Sequence, residues 1–115
     1  MTDQLPIRPY PRPTAQVEPY VEVFGFDLAI AFLLQFGGAN MMVSKNPRGR
    51  SQLEALVGYD KAKALSDIDH KLQRRVPLAK AWLAKCLKVR GLSVSAIART
   101  LRVTDISVRG WLRDP

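Results

Sequence analysis

Two helix-start signals lie eleven residues apart near the C-terminal end of the chain, and they constrain its fold more than any other feature. Ser93 precedes Val94, and Thr104 precedes Asp105. A hydroxyl at such a position accepts a hydrogen bond from an otherwise unpaired amide at the start of a helix. The spacing therefore predicts two short helices with a tight turn between them, around Arg102.

Apolar residues recur on one face of each predicted helix. With each residue turned by about 100° on a helical wheel, the apolar faces carry Val94, Ile97, Ala98 and Leu101, and then Val108, Trp111 and Leu112. The opposite faces carry Ser95, Arg99 and Thr100, and then Asp105, Ile106, Arg109, Gly110 and Arg113. This is the arrangement of a helix-turn-helix, whose second helix lies in the major groove of DNA. Capped amphipathic helices also occur in helical domains of any function. The turn position that often holds glycine is here Arg102, which must take a left-handed or strained conformation at some cost.

A third helix precedes this pair. The segment from Leu78 to Arg90 carries apolar residues on one half of its circumference and lysines on the other. We expect its apolar half to cover the two short helices, since Pro77 breaks the chain just before it. Residues 77–115 then form a three-helix unit.

The positive charge of the chain is confined to this region. Residues 1–70 hold seven Lys/Arg and eight Asp/Glu, net −1, whereas residues 71–115 hold eleven Lys/Arg and two Asp/Glu, net +9. A local excess of positive charge is the electrostatic footprint expected for a nucleic-acid surface. A solvated basic face or an acidic membrane surface would also fit such a charge.

The N-terminal half contains a helix that is apolar on nearly all sides. It is expected from about Gly25 to Phe36, ended by Gly37-Gly38. A helix of this kind must be buried all round, and so short a chain offers little material to cover it. We therefore expect part of its surface to form a dimer interface, through Leu28, Ile30, Phe32, Leu33, Leu34 and Phe36. The competing interpretation is a single central core helix.

Proline and glycine positions divide the rest of this half. Five prolines in residues 1–20 predict an extended or flexible arm, either a plain tail or a basic arm that touches DNA or a partner. Residues 39–44 are typical of a short strand, whose partner is the same strand of a second protomer or residues 72–76. A basic turn is expected over residues 45–50.

Further helices are predicted after that turn. Ser51 and Glu54 have the capping-box spacing and predict a helix through Val57, and another is expected from about Asp60 to His70. The whole chain is thus predicted to be mainly α. It comprises a flexible arm over residues 1–20, a dimerisation region of helices and one or two short β-strands over residues 21–76, and a helix-turn-helix domain over residues 77–115.

A weak internal repeat has a spacing of 33 residues. Phe24-Gly25-Phe26-Asp27 matches Val57-Gly58-Tyr59-Asp60, and Ala29, Ala31, Phe32 and Val43 match Ala62, Ala64, Leu65 and Val76. Each copy would be a helix followed by a strand, and two copies suit a duplicated dimerisation element or a chance similarity.

Catalytic and metal chemistry have few candidate residues. Cys86 and His70 are the only cysteine and histidine, so we expect no metal site, no cofactor and no enzyme activity. Cys86 lies on an apolar helical face, where an inert buried thiol is expected. The most hydrophobic run, Leu28 to Phe36, is shorter than the ~20 residues of a membrane span, and the proline-rich start does not suit a signal peptide. A soluble, cytoplasmic protein is expected.

The order of these segments resembles a known family. The chain contains, in order, the run from Leu28 to Phe36, Gly37-Gly38, the strand Asn40 to Val43 with Lys45 and the Pro/Gly turn, Leu56-Val57-Gly58 and the helix-turn-helix. This order is similar to that of the Mor transcription activators of Mu-like phages and prophages, over roughly residues 21–113. The resemblance implies a homodimer on an inverted repeat, contact with RNA polymerase, and an approach of Gly37, Gly38, Asn40 and Met42 to the minor groove. The chain departs from that pattern at Met42, Ser44 and Arg102.

The predicted DNA contacts divide into two groups. Arg109 would read a guanine edge, while Asp105 and Ile106 would meet cytosine amino or thymine methyl groups. Asp105 could instead orient Arg109 or stabilise its helix. Backbone contacts are expected from Ser93, Ser95, Arg99, Arg102, Thr104 and Arg113. The alternatives are a repressor, a phage packaging or transposition accessory protein, and a basic protein-interaction module.

Overall fold

The computed structural model of the chain describes residues 10–40 and 47–113. The described part is mainly helical, which confirms the predicted fold class at that level. The helices are α1 (Glu18–Phe36), α2 (Pro47–Val57), α3 (Tyr59–Ile68), α4 (Lys80–Val89), α5 (Val94–Leu101) and α6 (Asp105–Arg113), with a 3₁₀ turn at Asp69–Lys71. They belong to two compact units: an inserted unit, Pro13–Ala79, and a terminal unit of the residues up to Arg12 and from Lys80 onward.

Aromatic side chains of α1 form the centre of the inserted unit. The ring of Phe32 lies 5.3 Å from that of Tyr20, 5.1 Å from that of Phe24 and 5.2 Å from that of Phe36, measured between centroids. All four side chains are buried, and α1 packs against both α2 and α3. Ring pairs at these separations bury large apolar areas and favour one relative orientation.

Two glycines give the inserted unit a repeated backbone geometry. Gly25 interrupts α1 with φ 80° and ψ 168°, and Gly58 joins α2 to α3 with φ 89° and ψ 164°. This region of backbone space is accessible almost only to glycine. The predicted 33-residue repeat therefore coincides with two copies of a helix, a glycine and a second helix.

Burial follows the same repeat. The equivalent positions are buried in both copies, as the pairs Tyr20 and Leu53, Phe24 and Val57, Ala29 and Ala62, and Phe32 and Leu65. The amide of Gly38 donates to the Val76 carbonyl at 2.8 Å, and the amide of Val76 donates to the Ala39 carbonyl at 2.8 Å. The segments that follow the two copies thus meet within one chain.

The predicted strand is represented by one antiparallel bridge, between Asn40 and Arg75; the described residues contain no longer strand. Residues 41–46, including Met42, Val43 and most of the predicted strand, lie outside the described residues. Of the two predicted partners for the strand, the bridge pairs the segment after α1 with residues 72–76 of the same chain.

The predicted start of α2 at Ser51 is wrong. The helix begins at Pro47, so Pro47 to Arg50 form its first turn and Ser51 lies inside it. Proline suits the first turn because the amide that it lacks would have no helical partner there. Glu54 forms an ion pair of 2.8 Å with Arg50 instead of capping the helix.

The predicted arm over residues 1–20 also requires correction. Residues 1–9 lie outside the described part, but Glu18 already begins α1, with Pro19 in its first turn. Val17 and Tyr20 are buried in the inserted unit. The two compact units meet in sequence after residues 12 and 79, whereas the predicted boundaries follow residues 20 and 76.

Four of the six residues predicted for the dimer interface are buried within their own chain. They are Ile30, Phe32, Leu33 and Phe36. Leu34 is 39% exposed and Leu28 is half-buried. These two remain on the surface of α1.

By length and composition alone, α1 would be able to cross a membrane. A helix at the core of a soluble protein meets the same criterion. Seven residues of α1 are buried, and Gly25 breaks its backbone regularity. These observations favour the role of a core helix.

The terminal unit is built from α4, α5 and α6, each of which contacts the other two. Its core is made of Trp82, Leu83, Ala84, Cys86, Leu87, Ile97, Ala98, Leu101 and Val108. The predicted start of α4 at Leu78 is wrong: Ala79 has φ 51°, a value unfavourable for helix, and Leu78 is 54% exposed. The helix begins at Lys80.

Candidate nucleic-acid interface

The starts of α5 and α6 are capped as predicted. The Ser93 hydroxyl accepts a hydrogen bond from the Ala96 amide at 3.1 Å. The Thr104 hydroxyl accepts one from the Ser107 amide at 3.1 Å and donates to the Ser107 hydroxyl at 3.1 Å. Such caps fix where each helix begins.

Arg102 forms the turn between α5 and α6 in a left-handed conformation, with φ 58° and ψ 50°. The next amide, of Val103, donates to the Ala98 carbonyl at 3.0 Å, which ends α5. This backbone geometry is costly for a residue with a Cβ atom. It also leaves the Arg102 side chain exposed.

One side of α6 faces the core and the other is open. Val108 is fully buried, and Trp111 and Leu112 are half-buried, on the inner side. The outer side carries the exposed residues Asp105, Ile106, Arg109 and Arg113. Ile106 is 75% exposed, more than any other large apolar side chain that the structure describes.

Arg109 is held loosely by its own helix. Its Nη1 lies 3.3 Å from Oδ2 of Asp105, one helical turn earlier, and the two side chains are 62% and 52% exposed. An exposed ion pair of this kind contributes little to stability. Asp105 therefore orients the Arg109 guanidinium. The ion pair is weak enough for this group to form two stronger hydrogen bonds with another acceptor instead.

Polar and basic side chains of α5 and the turn lie next to this surface. Ser93, Ser95, Arg99, Arg102 and Thr104 are all exposed. A shallow open depression is lined by Ser95, Ala98, Arg99, Arg102, Val103, Thr104 and Asp105. The residues from Lys80 to Arg113 include eight Lys/Arg and one acidic residue, Asp105. The pair α5–α6 thus presents hydroxyl and guanidinium groups suited to phosphate oxygens.

The Gly37-Gly38 segment has a reason for its glycines within its own unit. A Cβ on Gly37 would lie 2.6 Å from the Leu33 carbonyl oxygen, and one on Gly38 would lie 3.3 Å from the Leu78 side chain. Gly38 also has φ 87°. Asn40 is exposed, and Met42 lies outside the described residues. These glycines are required by packing whether or not they approach DNA.

Two contacts with the N-terminal segment were missed by sequence reasoning. The indole Nε1 of Trp82 donates to the Pro11 carbonyl at 3.0 Å, and Nε of Arg90 donates to the Tyr10 hydroxyl at 3.0 Å. The Arg90 guanidinium also lies 5.9 Å from the centroid of the Tyr10 ring. A buried tryptophan on a predicted core face requires a partner for its N–H, and this was the available signal.

Cys86 is buried in the core of the terminal unit. Burial raises the pKa of the Cys86 thiol to about 12, although Arg90 acts in the opposite direction. A thiol of this kind is not a nucleophile near neutral pH. In the part of the chain that the structure describes, no three His, Cys, Asp or Glu residues are grouped so as to hold a metal ion.

Comparisons of the chain with protein-family models, with curated proteins and with solved structures find no match.

Proposed function

We propose that the terminal unit is a helix-turn-helix DNA-binding domain and that the protein is a sequence-specific regulator of transcription. The observation that carries this proposal is the outer side of α6, where the 75% exposed Ile106 lies between Asp105 and Arg109 on a helix anchored by the Thr104 cap and the buried Val108. A short, rigid, outward-facing helix next to basic residues is what major-groove reading requires.

Each exposed group then has a role in binding. Arg109 would donate two hydrogen bonds to a guanine, the most common specific contact, and Asp105 and Ile106 would meet a cytosine amino or a thymine methyl group. The phosphates would be bound by the hydroxyl and basic side chains around α5 and the turn, from Ser93, Ser95, Arg99, Arg102, Thr104 and Arg113. The Thr104 and Ser93 hydroxyls already serve as caps, so they would approach DNA together with the helix N-termini.

The wider proposal follows the resemblance to the Mor family. It is a homodimeric activator in the cytoplasm of a bacterial host cell, which binds an inverted repeat and contacts RNA polymerase. Repression by occlusion of a promoter, and a role in phage packaging or transposition, use the same DNA contacts. The exposed α6 surface therefore supports DNA binding directly. The choice of activation over repression is supported only by the resemblance to the Mor family.

The proposal is tested with DNA selected from a random pool by the full chain. On the selected duplex, Arg109→Ala is expected to cost about 1–3 kcal/mol of binding free energy and to relax selectivity at one base pair. Arg99→Ala is the matched control, since it also removes one exposed guanidinium. It is expected to weaken binding to all duplexes alike and to reduce the slope of log affinity against log salt by about 1.

Two outcomes would contradict the proposal. Equal losses from both variants on every duplex would remove the base-reading role of Arg109. A protein that selects no sequence and keeps no preference as salt is raised would instead fit the alternative, a basic module that binds an acidic protein partner.

A further inference from the structure

Nothing in the described structure requires a glycine at position 110. Gly25, Gly38, Gly58 and Gly91 have positive φ. Gly37 is closely approached by the Leu33 carbonyl, and Gly49 is buried in α2. Gly110 has neither feature: it lies inside α6 without a positive φ, and a Cβ built on it would meet nothing within 4 Å.

This position works against the stability of α6. Glycine inside a helix is less favourable than alanine because the unfolded chain loses more conformational freedom. The empty space around Gly110 means that alanine would fit without any displacement. The space that a side chain would fill is therefore open to a group from outside the unit.

The neighbours of Gly110 indicate which kind of group would fit in this space. Gly110 follows the 75% exposed Ile106 by four residues, so the two lie one turn apart on the outer side of α6. Arg109 and Arg113 are exposed on the same side. The Ile106 side chain thus lies beside the open space at Gly110, and the two guanidinium groups lie next to it. This arrangement suits an apolar group that projects from a highly anionic surface.

We propose that Ile106 and Gly110 together form an apolar notch that receives the methyl group of a thymine in the major groove. The thymine methyl is the apolar group that the major groove presents. The missing Cβ allows the base edge to approach the backbone of α6 closely. This inference rests on the proposed DNA-binding function and adds Gly110 as a positioning and specificity residue.

The experiment compares the wild-type full chain with Gly110→Ala on the selected duplex. The variant is expected to melt at a temperature roughly 4–8 °C higher, from its better helix propensity, and to bind roughly tenfold more weakly. Thr100→Ala is the control. It also improves helix propensity, but on α5, at a residue that does not line the depression near the turn, and it is expected to bind as the wild type does.

Replacing thymines by deoxyuridine, one at a time, tests the methyl group itself. At one position the replacement is expected to weaken wild-type binding and to restore part of the affinity of Gly110→Ala, because the added Cβ then has room. The notch is overturned if Gly110→Ala binds as tightly as the wild type, or if no deoxyuridine position affects the two proteins differently. A change of mass in solution with unchanged DNA affinity would also overturn it, and would assign the gap to a protein partner.

A different result would separate this inference from the function on which it rests. If the wild type selects a sequence and Arg109→Ala weakens binding while Gly110→Ala does not, the DNA-binding function stands and the notch fails. If the wild type selects no sequence, the proposed function fails and the notch fails with it.

Discussion

Arg102 has a costly backbone conformation within the proposed DNA-binding surface. Its φ of 58° and ψ of 50° are those that glycine adopts without cost after a helix, whereas a Cβ atom makes them unfavourable. The side chain is exposed, next to Ser95 and Arg99 at the depression between α5 and α6. A backbone penalty that places a cation there is understandable if the cation contacts a phosphate.

Arg102→Gly is accordingly expected to raise the free energy of unfolding of the terminal unit by about 1 kcal/mol and to weaken binding to all DNA. Arg102→Lys keeps both the charge and the backbone penalty, so neither quantity is expected to change much. Unfolding in urea, followed by tryptophan fluorescence, measures the first quantity. Both tryptophans, Trp82 and Trp111, belong to the terminal unit, so the signal reports on this unit. A glycine variant less stable than the lysine variant would contradict the account.

At the scale of elements, the N-terminal segment acts as a part of the terminal unit. Tyr10 and Pro11 contact Arg90 and Trp82 through two hydrogen bonds of 3.0 Å. A segment rich in proline loses little conformational freedom when it binds, because its backbone is already restricted. The proline-rich composition that predicts a flexible arm therefore also suits a docked one.

Tyr10→Phe removes the hydroxyl that accepts the hydrogen bond from Arg90 and keeps the ring. It is expected to lower the free energy of unfolding of the terminal unit by about 1 kcal/mol, measured by tryptophan fluorescence in urea. Arg12→Ala is the control, since Arg12 is exposed in the same segment and is expected to leave stability unchanged. Equal stability of Tyr10→Phe and the wild type would show that the segment does not stabilise the unit.

The repeat in the inserted unit shows two similar halves with different surroundings. Ala29 and Phe32 of α1 match Ala62 and Leu65 of α3, and all four are buried. Ile30 is also buried, whereas its equivalent Lys63 is exposed and forms an ion pair of 3.6 Å with Asp67. The extra apolar face of α1 is thus buried within its own chain, without a second protomer.

At the scale of the whole molecule, dimerisation remains a prediction with a smaller surface than the sequence suggests. The apolar residues of α1 that its own chain does not fully bury include a stripe of Leu28, Ala31 and Leu34, which are spaced by three residues. The exposed Gln35 lies beside this stripe. Two copies of a helix-turn-helix domain are needed to read an inverted repeat, with half-sites about one helical turn or a multiple of it apart.

Leu34→Glu is expected to convert a dimer to a monomer, because it places two like charges in the stripe between copies. Gln35→Glu adds the same charge next to the stripe and is the control, expected to stay dimeric. Mass in solution from light scattering measures both, and the monomeric variant should lose affinity for the inverted repeat but keep affinity for a single half-site. A wild-type protein that is monomeric at the concentrations where it binds DNA would contradict the dimer.

The sequence by itself determined the features that depend on neighbouring residues. The caps at Ser93 and Thr104 and the left-handed turn at Arg102 agree with the structure, because hydrogen bonds within a few residues decide them. The outward position of Ile106 and Arg109 follows from helical periodicity alone. These features make up the candidate site, which is why most of it was predictable.

Tertiary structure decided which surfaces cover which. The apolar run from Leu28 to Phe36 requires burial, but only packing against α2 and α3 shows that its own chain provides it. The same holds for Tyr10 and Pro11, whose partners Arg90 and Trp82 are more than 70 residues away in sequence. Hydrophobic burial has no direction and no sequence range, so composition states that a surface must be covered, and only the folded chain states by what.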